Sequence, residues 1–311
     1  MMFTMRAILV ALGFFGVLYC LLSMLTVCLW KGAKLLRGNS DIVWARLLFA
    51  IRIFPLAAAG FMTLAFAVPA FLLLEPAAID EDARTVVFSL CGFLLLAGGL
   101  FCVCMAQART TRLVADLLAA PSPSLGGVAP RLPSKPGLPP LLLYGVYVPR
   151  MLVSETAVAL LTSDELRVAM QHELWHMRSR DNLKKLILHG VPFPGMASLE
   201  RAWQEAAEFA ADEGAVANPL EALDLAAALI KISDLAPLQE TPAFTTGRTN
   251  LAGVAKLRVE RLLDWNEHRS PAVSLPRSCF LPFVLLSVFC IAANYTQALL
   301  LTHRFTEWLI R

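Results

Sequence analysis

Four stretches of the chain, residues 7–30, 53–74, 85–108 and 279–301, contain no Asp, Glu, Lys or Arg and lack the polar stripe of an amphipathic helix. At about 1.5 Å per residue each can cross roughly 30 Å of hydrocarbon, so the pattern predicts four transmembrane helices. One long polar interval separates the third from the fourth. It opens with "PSPSLGGVAPRLPSKPGLPP", residues 121–140, where proline is too dense for a helix or an interior strand and predicts an extended linker. "LLLYGVYV" and "RMLVS" follow, short runs of β-formers broken by Gly145 and Pro149, which predict a small hairpin or sheet.

From Leu161 the spacing turns helical. In "LTSDELR" Thr162 can cap, Glu165 three residues later completes a capping box, and Leu161 with Leu166 hold the hydrophobic staple positions. Leu166, Met170, Leu174 and Met177 then recur at three- and four-residue steps, an apolar stripe that can pack on the rest of a domain. A second helix is expected over "SLERAWQEAAEFAADEGAVANP", capped near Ser198 and stopped at Asn218 and Pro219. Its alanines, Ala202, Ala206, Ala207, Ala210 and Ala211, permit close approach to a neighbouring helix.

Composition agrees with a membrane chain: 57% hydrophobic residues, 16% charged and a mean hydropathy of +0.62. The first run resembles a secretory signal only in following Arg6; it is longer than an h-region, and no small-x-small site follows it at "LWKGAK". Loop charge sets an expected orientation. The first loop carries Lys31, Lys34, Arg37, Arg46 and Arg52 against Asp41, and the second Glu75, Asp80, Glu81 and Asp82 against Arg84. The positive-inside rule then puts the first loop and the interval from about Arg109 to Ser278 in the cytoplasm, with both termini outside. A net charge of +3 is accounted for by this anchoring and calls for no nucleic-acid partner. All seven cysteines fall within the four runs, so neither a disulfide framework nor a cysteine zinc site is expected. With no ionisable residue inside a run, a pump or channel lacks its usual charge carriers. Gly98, Gly99, Pro55 and Pro69 offer close packing or kinks instead.

The chemistry concentrates in "QHELWHMRSRD". His172 and His176, four apart on a helix, share a face and can converge on one ion, while Glu173 is offset by about 100° and stays free to act as a base toward water. Such a centre needs a third protein ligand. Ser179 and Asn182 stand where a metzincin would have Gly and His, so the ligand must come from elsewhere. On the second helix Glu208 and Asp212 share a face, Glu208 as a possible ligand and Asp212 as a group that orients a histidine. Spacing leaves Glu205, one turn earlier, open as an alternative. An oxyanion partner is not readable; Tyr144, Tyr147 and His189 are the candidates.

"HELWHMRSRD" followed by "EFAAD" resembles the HExxH plus ExxxD pattern of the BlaR/MecR-type integral-membrane zinc metallopeptidases, relatives of the HtpX and CAAX-prenyl proteases. "PRMLVSETAVALLTSDELRVAMQHE" and "LRVERLLDW" resemble the segments before and after the motif helices, so the likeness covers about residues 148–265. In that pattern Glu208 is the third zinc ligand. The resemblance implies a mainly α protein: four transmembrane helices with a small α+β, gluzincin-like zinc peptidase domain inserted between the third and fourth. The expected division is a membrane domain over residues 1–108, a linker over 109–140, the peptidase domain over 141–278, and the fourth span with a short tail over 279–311. It further implies one Zn2+ held by His172, His176 and Glu208, with Glu173 as general base, in a prokaryotic cytoplasmic membrane. The implied partners are the bilayer and a protein or peptide substrate, a transcriptional repressor among the candidates, with a separate sensor or a second copy as further options. A substrate strand adding to the sheet edge before the motif helix is the expected mode of capture. The alternative is a non-proteolytic transducer or scaffold with a structural zinc. Only "THRFTEWLIR" follows the fourth run, so the likeness does not extend to a penicillin-binding sensor domain.

Overall fold

A computed structural model describes residues 2–33, 40–74, 83–118, 131–132, 141–235, 251–265 and 294–310, which are mainly helical. Among the described residues three helices are long and apolar enough to cross a membrane, over Phe3–Gly32, Asp41–Leu74 and Arg84–Arg112. They correspond to α1 (Met2–Ala33), α2 (Asp41–Met62) continued by a π-helical turn (Thr63–Ala67) and α3 (Val68–Leu74), and α4 (Ala83–Leu118). The π turn has a local cause. Pro69 has no N–H for the carbonyl of Ala65 and its ring crowds that carbonyl, so the helix widens just before it. The Tyr295 hydroxyl donates to the freed Ala65 oxygen at 3.0 Å.

Two boundaries differ from the sequence expectation. The second helix starts at Asp41, twelve residues before the uncharged run, so Arg46 and Arg52 are helical rather than in a loop. That helix therefore carries two arginines, Arg46 exposed near its start and Arg52 only 1% exposed. The third helix continues to Leu118, ten residues beyond the uncharged run and into the expected linker. Runs of apolar side chains mark where lipid can sit, not where a helix begins or ends. Residues 279–293 of the fourth run lie outside the described residues; its end belongs to a last helix, α11 below, which continues through the tail.

The polar interval folds around a three-stranded sheet in the order β1-β3-β2. β2 (Leu141–Tyr144) and β3 (Arg150–Ser154) form the expected antiparallel hairpin, with Leu142 opposite Leu152. β1 (Arg131–Leu132), inside the proline-rich segment, pairs parallel with β3 and so occupies an edge, where proline neighbours are tolerated. Because β3 is central, the open edge near the motif helix belongs to β2.

Among the described residues seven helices follow: α5 (Glu155–Leu160), α6 (Ser163–Ser179), α7 (Asp181–His189), α8 (Ala197–Ala215), α9 (Pro219–Leu235), α10 (Leu251–Leu263) and α11 (Tyr295–Ile310). α6 starts on the expected capping box: Glu165 N–H donates to Thr162 Oγ1 and Thr162 N–H to Glu165 Oε2. Leu161 and Leu166 meet in one cluster with Leu141, Val153, Ala157 and Ala169, which seats α6 on the sheet. α8 begins one residue before Ser198 without a side-chain cap and ends at Ala215; Asn218 instead accepts from Glu221 N–H at the start of α9. One face of α8, Leu199, Trp203, Ala206 and Ala210, packs on Trp30, Ala45 and Leu48 of the membrane helices. Another meets α6, where Gly214 lies so close to the Trp175 ring that a Cβ would overlap it at 2.2 Å.

Candidate metal centre

α6 buries its polar face instead of exposing it. His172 is 6% exposed, Glu173 9% and His176 1%. Burial of three ionisable groups in one helix turn is costly unless they are paired or coordinate an ion. The partners come from α8, α7 and α10. Glu208 of α8 places Oε2 3.5 Å from His172 Nε2 and Oε1 3.6 Å from His176 Nε2, while the two Nε2 atoms are 3.2 Å apart. Ligands about 2.0–2.1 Å from a tetrahedral zinc are separated by roughly 3.3–3.4 Å. The two Nε2 atoms already stand at about that separation, and each has one of the two Glu208 oxygens slightly farther off. Among the described residues, His172, His176 and Glu208 form a cluster that could bind a metal ion. Glu205, which spacing left open, is exposed and outside this cluster.

Both Nδ1 atoms are engaged by carboxylates. Asp212 Oδ1 lies 3.0 Å from His172 Nδ1, and Asp181 Oδ2 2.8 Å from His176 Nδ1. With the Nδ1–H groups donating, both Nε2 atoms turn lone pairs toward each other, an arrangement that a cation between them stabilises. When that cation is a proton, burial disfavours it, but Glu208 and Asp181 outweigh burial and hold the His176 pKa at about 10. His172 is raised too, the Asp212 and Glu208 carboxylates overcoming burial. Burial would raise the Glu208 pKa, yet His176 and Arg258 hold it well below the usual carboxylate range.

Asp212 thus lies beside His172. Asp181 and Arg258 were not anticipated. Asp181 reaches His176 because Arg180 adopts a left-handed conformation, φ 54°, that breaks α6 from α7 and turns Asp181 back; for a non-glycine residue this costs about 1–2 kcal/mol. The signal was available in "HMRSRD": an aspartate at the first turn of a new helix, where its charge is favoured. Lys184 secures its other oxygen at 2.8 Å. Arg258 of α10 forks onto Asp212, Nε to Oδ2 and NH2 to Oδ1, each at 2.7 Å, and donates from NH1 to Glu208 Oε2 at 2.9 Å. Its NH2 also lies 3.3 Å from His172 Nε2. Glu208 Oε1 instead faces His176 Nε2 at 3.6 Å. No sequence spacing links Arg258 to residues 46 and 50 positions earlier.

The oxyanion candidates separate. Tyr147 is 87% exposed at the hairpin turn. His189 donates from Nδ1 to the Lys185 carbonyl at 2.8 Å on the exposed side of α7. Tyr144, on β2, pairs in register with Arg150. Asn182, next to Asp181, donates to the Leu143 and Gly145 carbonyls at 3.4 and 3.1 Å and so ties the sheet to the centre.

Comparison with protein-family models, with curated proteins and with solved structures finds no match to this chain.

Proposed function

We propose that the chain is a membrane-held, zinc-dependent endopeptidase of the BlaR/MecR-like kind, cutting a protein substrate at the cytoplasmic face of a prokaryotic membrane, in transcriptional derepression or membrane-protein quality control. One observation carries this reading: two imidazole Nε2 atoms 3.2 Å apart, each with an oxygen of the Glu208 carboxylate 3.5–3.6 Å away, both histidines backed by further carboxylates, and a buried Glu173 outside this set. The donor set of two imidazoles and one carboxylate fits zinc, leaves one position open, and matches catalytic rather than closed structural sites. A zinc ion there would supply Lewis acidity, polarising a peptide carbonyl and bringing the pKa of water toward about 7.

The remaining work falls to side chains. Glu173 takes a proton from the attacking water and returns it to the amide nitrogen as the carbon–nitrogen bond breaks. Asp212 and Asp181 fix the two rings in the tautomer that aims Nε2 at the ion. Arg258 keeps Asp212 and Glu208 charged and in place. A scaffold with a structural zinc has no use for a buried base at Glu173. The test is to purify the wild type and Glu173→Gln in detergent, measure zinc, and map new peptide termini in membrane extracts. Equal zinc with fragments only in the wild type is the expected result. Identical fragment profiles at equal zinc refute the peptidase and leave the transducer.

A further inference from the structure

The turn between α7 and α8, "HGVPFPGM", touches the membrane helices unusually far along their length. The Tyr19 hydroxyl donates to the Val191 carbonyl at 3.3 Å, and the Tyr19 and Phe193 rings meet edge to face at 5.8 Å. Gly99 of α4 lies against the Gly190 carbonyl so closely that a Cβ would overlap that oxygen at 2.0 Å. Arg52 of α2 donates from NH2 to the same Val191 carbonyl at 2.6 Å and pairs with Glu200 at 2.7 Å.

These contacts have a depth. α1 carries no charge between Arg6 and Lys31, nor α4 between Arg84 and Arg109, so each offers 24 uncharged residues, about 36 Å of helix, to the bilayer. Tyr19 is twelve residues from Lys31, and Gly99 ten from Arg109, which places the turn roughly 15–18 Å below those charges. On α2 the exposed Arg46 lies six residues above Arg52, about 9 Å plus the length of the arginine side chain. Leu21, Met24, Leu25, Leu100, Phe101 and Met105, at and above the level of the turn, are exposed, as lipid-facing side chains are. In the turn itself the exposed residues between Gly190 and Ser198 are Pro192, Pro194, Gly195 and Ala197, none of them charged. Arg52, among the described residues the one buried cation at this depth, is ion-paired, as an intramembrane charge must be. Arg201 and Glu205, on the exposed face of α8, mark the side on which water reaches the centre.

We propose that residues 190–197 form a re-entrant turn immersed among the membrane helices to about mid-bilayer, and that the metal centre consequently sits at the edge of the hydrocarbon, where its substrate is the membrane-proximal end of a bilayer-anchored polypeptide. Two helices fix the height of the centre. Asp181, on His176, is nine positions above Gly190, and Glu208 is eight positions beyond Glu200, so each route rises at most about 12–14 Å from the turn. That rise returns only to the level of Lys31, Arg46 and Arg109, the headgroup region. A soluble protein would have to thread its chain down to this level, whereas the first residues outside a transmembrane segment are already there. The depth stands without the peptidase reading; the substrate class rests on it.

The experiment uses the full chain, zinc-loaded, in liposomes on a cysteine-free background. A spin label at Pro194 is compared with one at Leu94, exposed in mid-span of α4, and one at Lys256, exposed on α10. Oxygen-rich, nickel-chelate-poor collision like that at Leu94 is expected; nickel access like that at Lys256 overturns the proposal. The same liposomes receive a leucine–alanine transmembrane peptide bearing a 40-residue mixed-sequence tail, about 40 being enough to reach far beyond the headgroups. Cuts at least tenfold more frequent within about five residues of the bilayer than farther out are expected. Cuts spread evenly along the tail refute the substrate class. No cut at all by zinc-loaded protein refutes the peptidase reading and with it the substrate class, while the label still decides the depth.

Discussion

Replacing Arg258 with alanine separates the ion-pair network from the metal. The side chain is 11% exposed and makes three charge-assisted bonds, two to Asp212 and one to Glu208. Each is nominally about 1.5–3 kcal/mol, but the sum overstates the loss, because arginine also sheds its own desolvation cost. Removal of one partner from a buried pair costs about 3–5 kcal/mol, most of it from the carboxylates left behind. Without metal, Asp212 and Glu208 both lose the guanidinium, and only protonated histidine is left to offset their two charges. With zinc bound, the ion neutralises Glu208, and Asp212 alone is orphaned. The Arg258→Ala penalty is therefore larger in chelator than in zinc. At about 2–4 °C per kcal/mol for a chain of this size, the melting temperature in detergent falls by roughly 10 °C or more in chelator, and by about half as much in zinc. Arg258→Lys keeps the charge but loses the fork, so it recovers part of the loss. A change within 2 °C in chelator, or an equal drop with and without zinc, refutes the reasoning.

Asp181→Ala removes the acceptor that holds the His176 ring, and zinc affinity is expected to fall about 10–100-fold in a chelator competition while the far-UV spectrum is unchanged. Thr162→Ala loses half of the capping box at the start of α6 and costs about 1 kcal/mol, read as a lower melting temperature. Glu165 titrates below its ordinary value because Lys231 and the Thr162 N–H outweigh its burial; a depressed carboxylate stabilises the fold above the unfolded pKa of about 4.5 and loses that contribution as pH falls through its folded value. Melts of the wild type and Lys231→Met are thus expected to differ at pH 7 and to converge below about pH 4, and a difference that persists there refutes the assignment.

Local signals were legible to different degrees. The capping box at Thr162 and Glu165, the β2–β3 hairpin and the His172–His176 face depend on neighbours within a few residues, and the chain folds them as spacing predicts. Glu208 against Glu205 could not be separated by spacing, since both lie on similar faces; packing decides it, because Trp203, Ala206 and Ala210 turn one side of α8 onto α2 and so rotate Glu208 toward α6. Arg52 was misplaced for a related reason. Its position before an uncharged run looked like a loop, but Glu200, 148 residues away, supplies the counter-charge that lets a helix carry it inside. Arg258 was invisible for the same cause: a buried cation is defined by its partners, and those are distant in sequence.

α8 is the element in which the two halves of the protein meet. Glu200 at its first turn pairs with Arg52, Trp203 lies against Phe49 three residues before Arg52 on α2, and Phe209 underlies Arg261, which pairs with Asp41 at the start of α2. The helix is therefore fastened to α2 at both ends, with Glu208 and Asp212 on the opposite side. Helix packing of this kind has discrete rather than continuous arrangements, since Leu48, Leu199 and Trp203 are fully buried and cannot slide without opening cavities. A change in the tilt or register of α2 must be taken up by α8 as a body. Because Glu208 and Asp212 stand on it while His172 and His176 stand on α6, any such displacement alters the separation of the third donor from the first two, and the 3.5–3.6 Å distances that suit an ion hold for one register of α2 only.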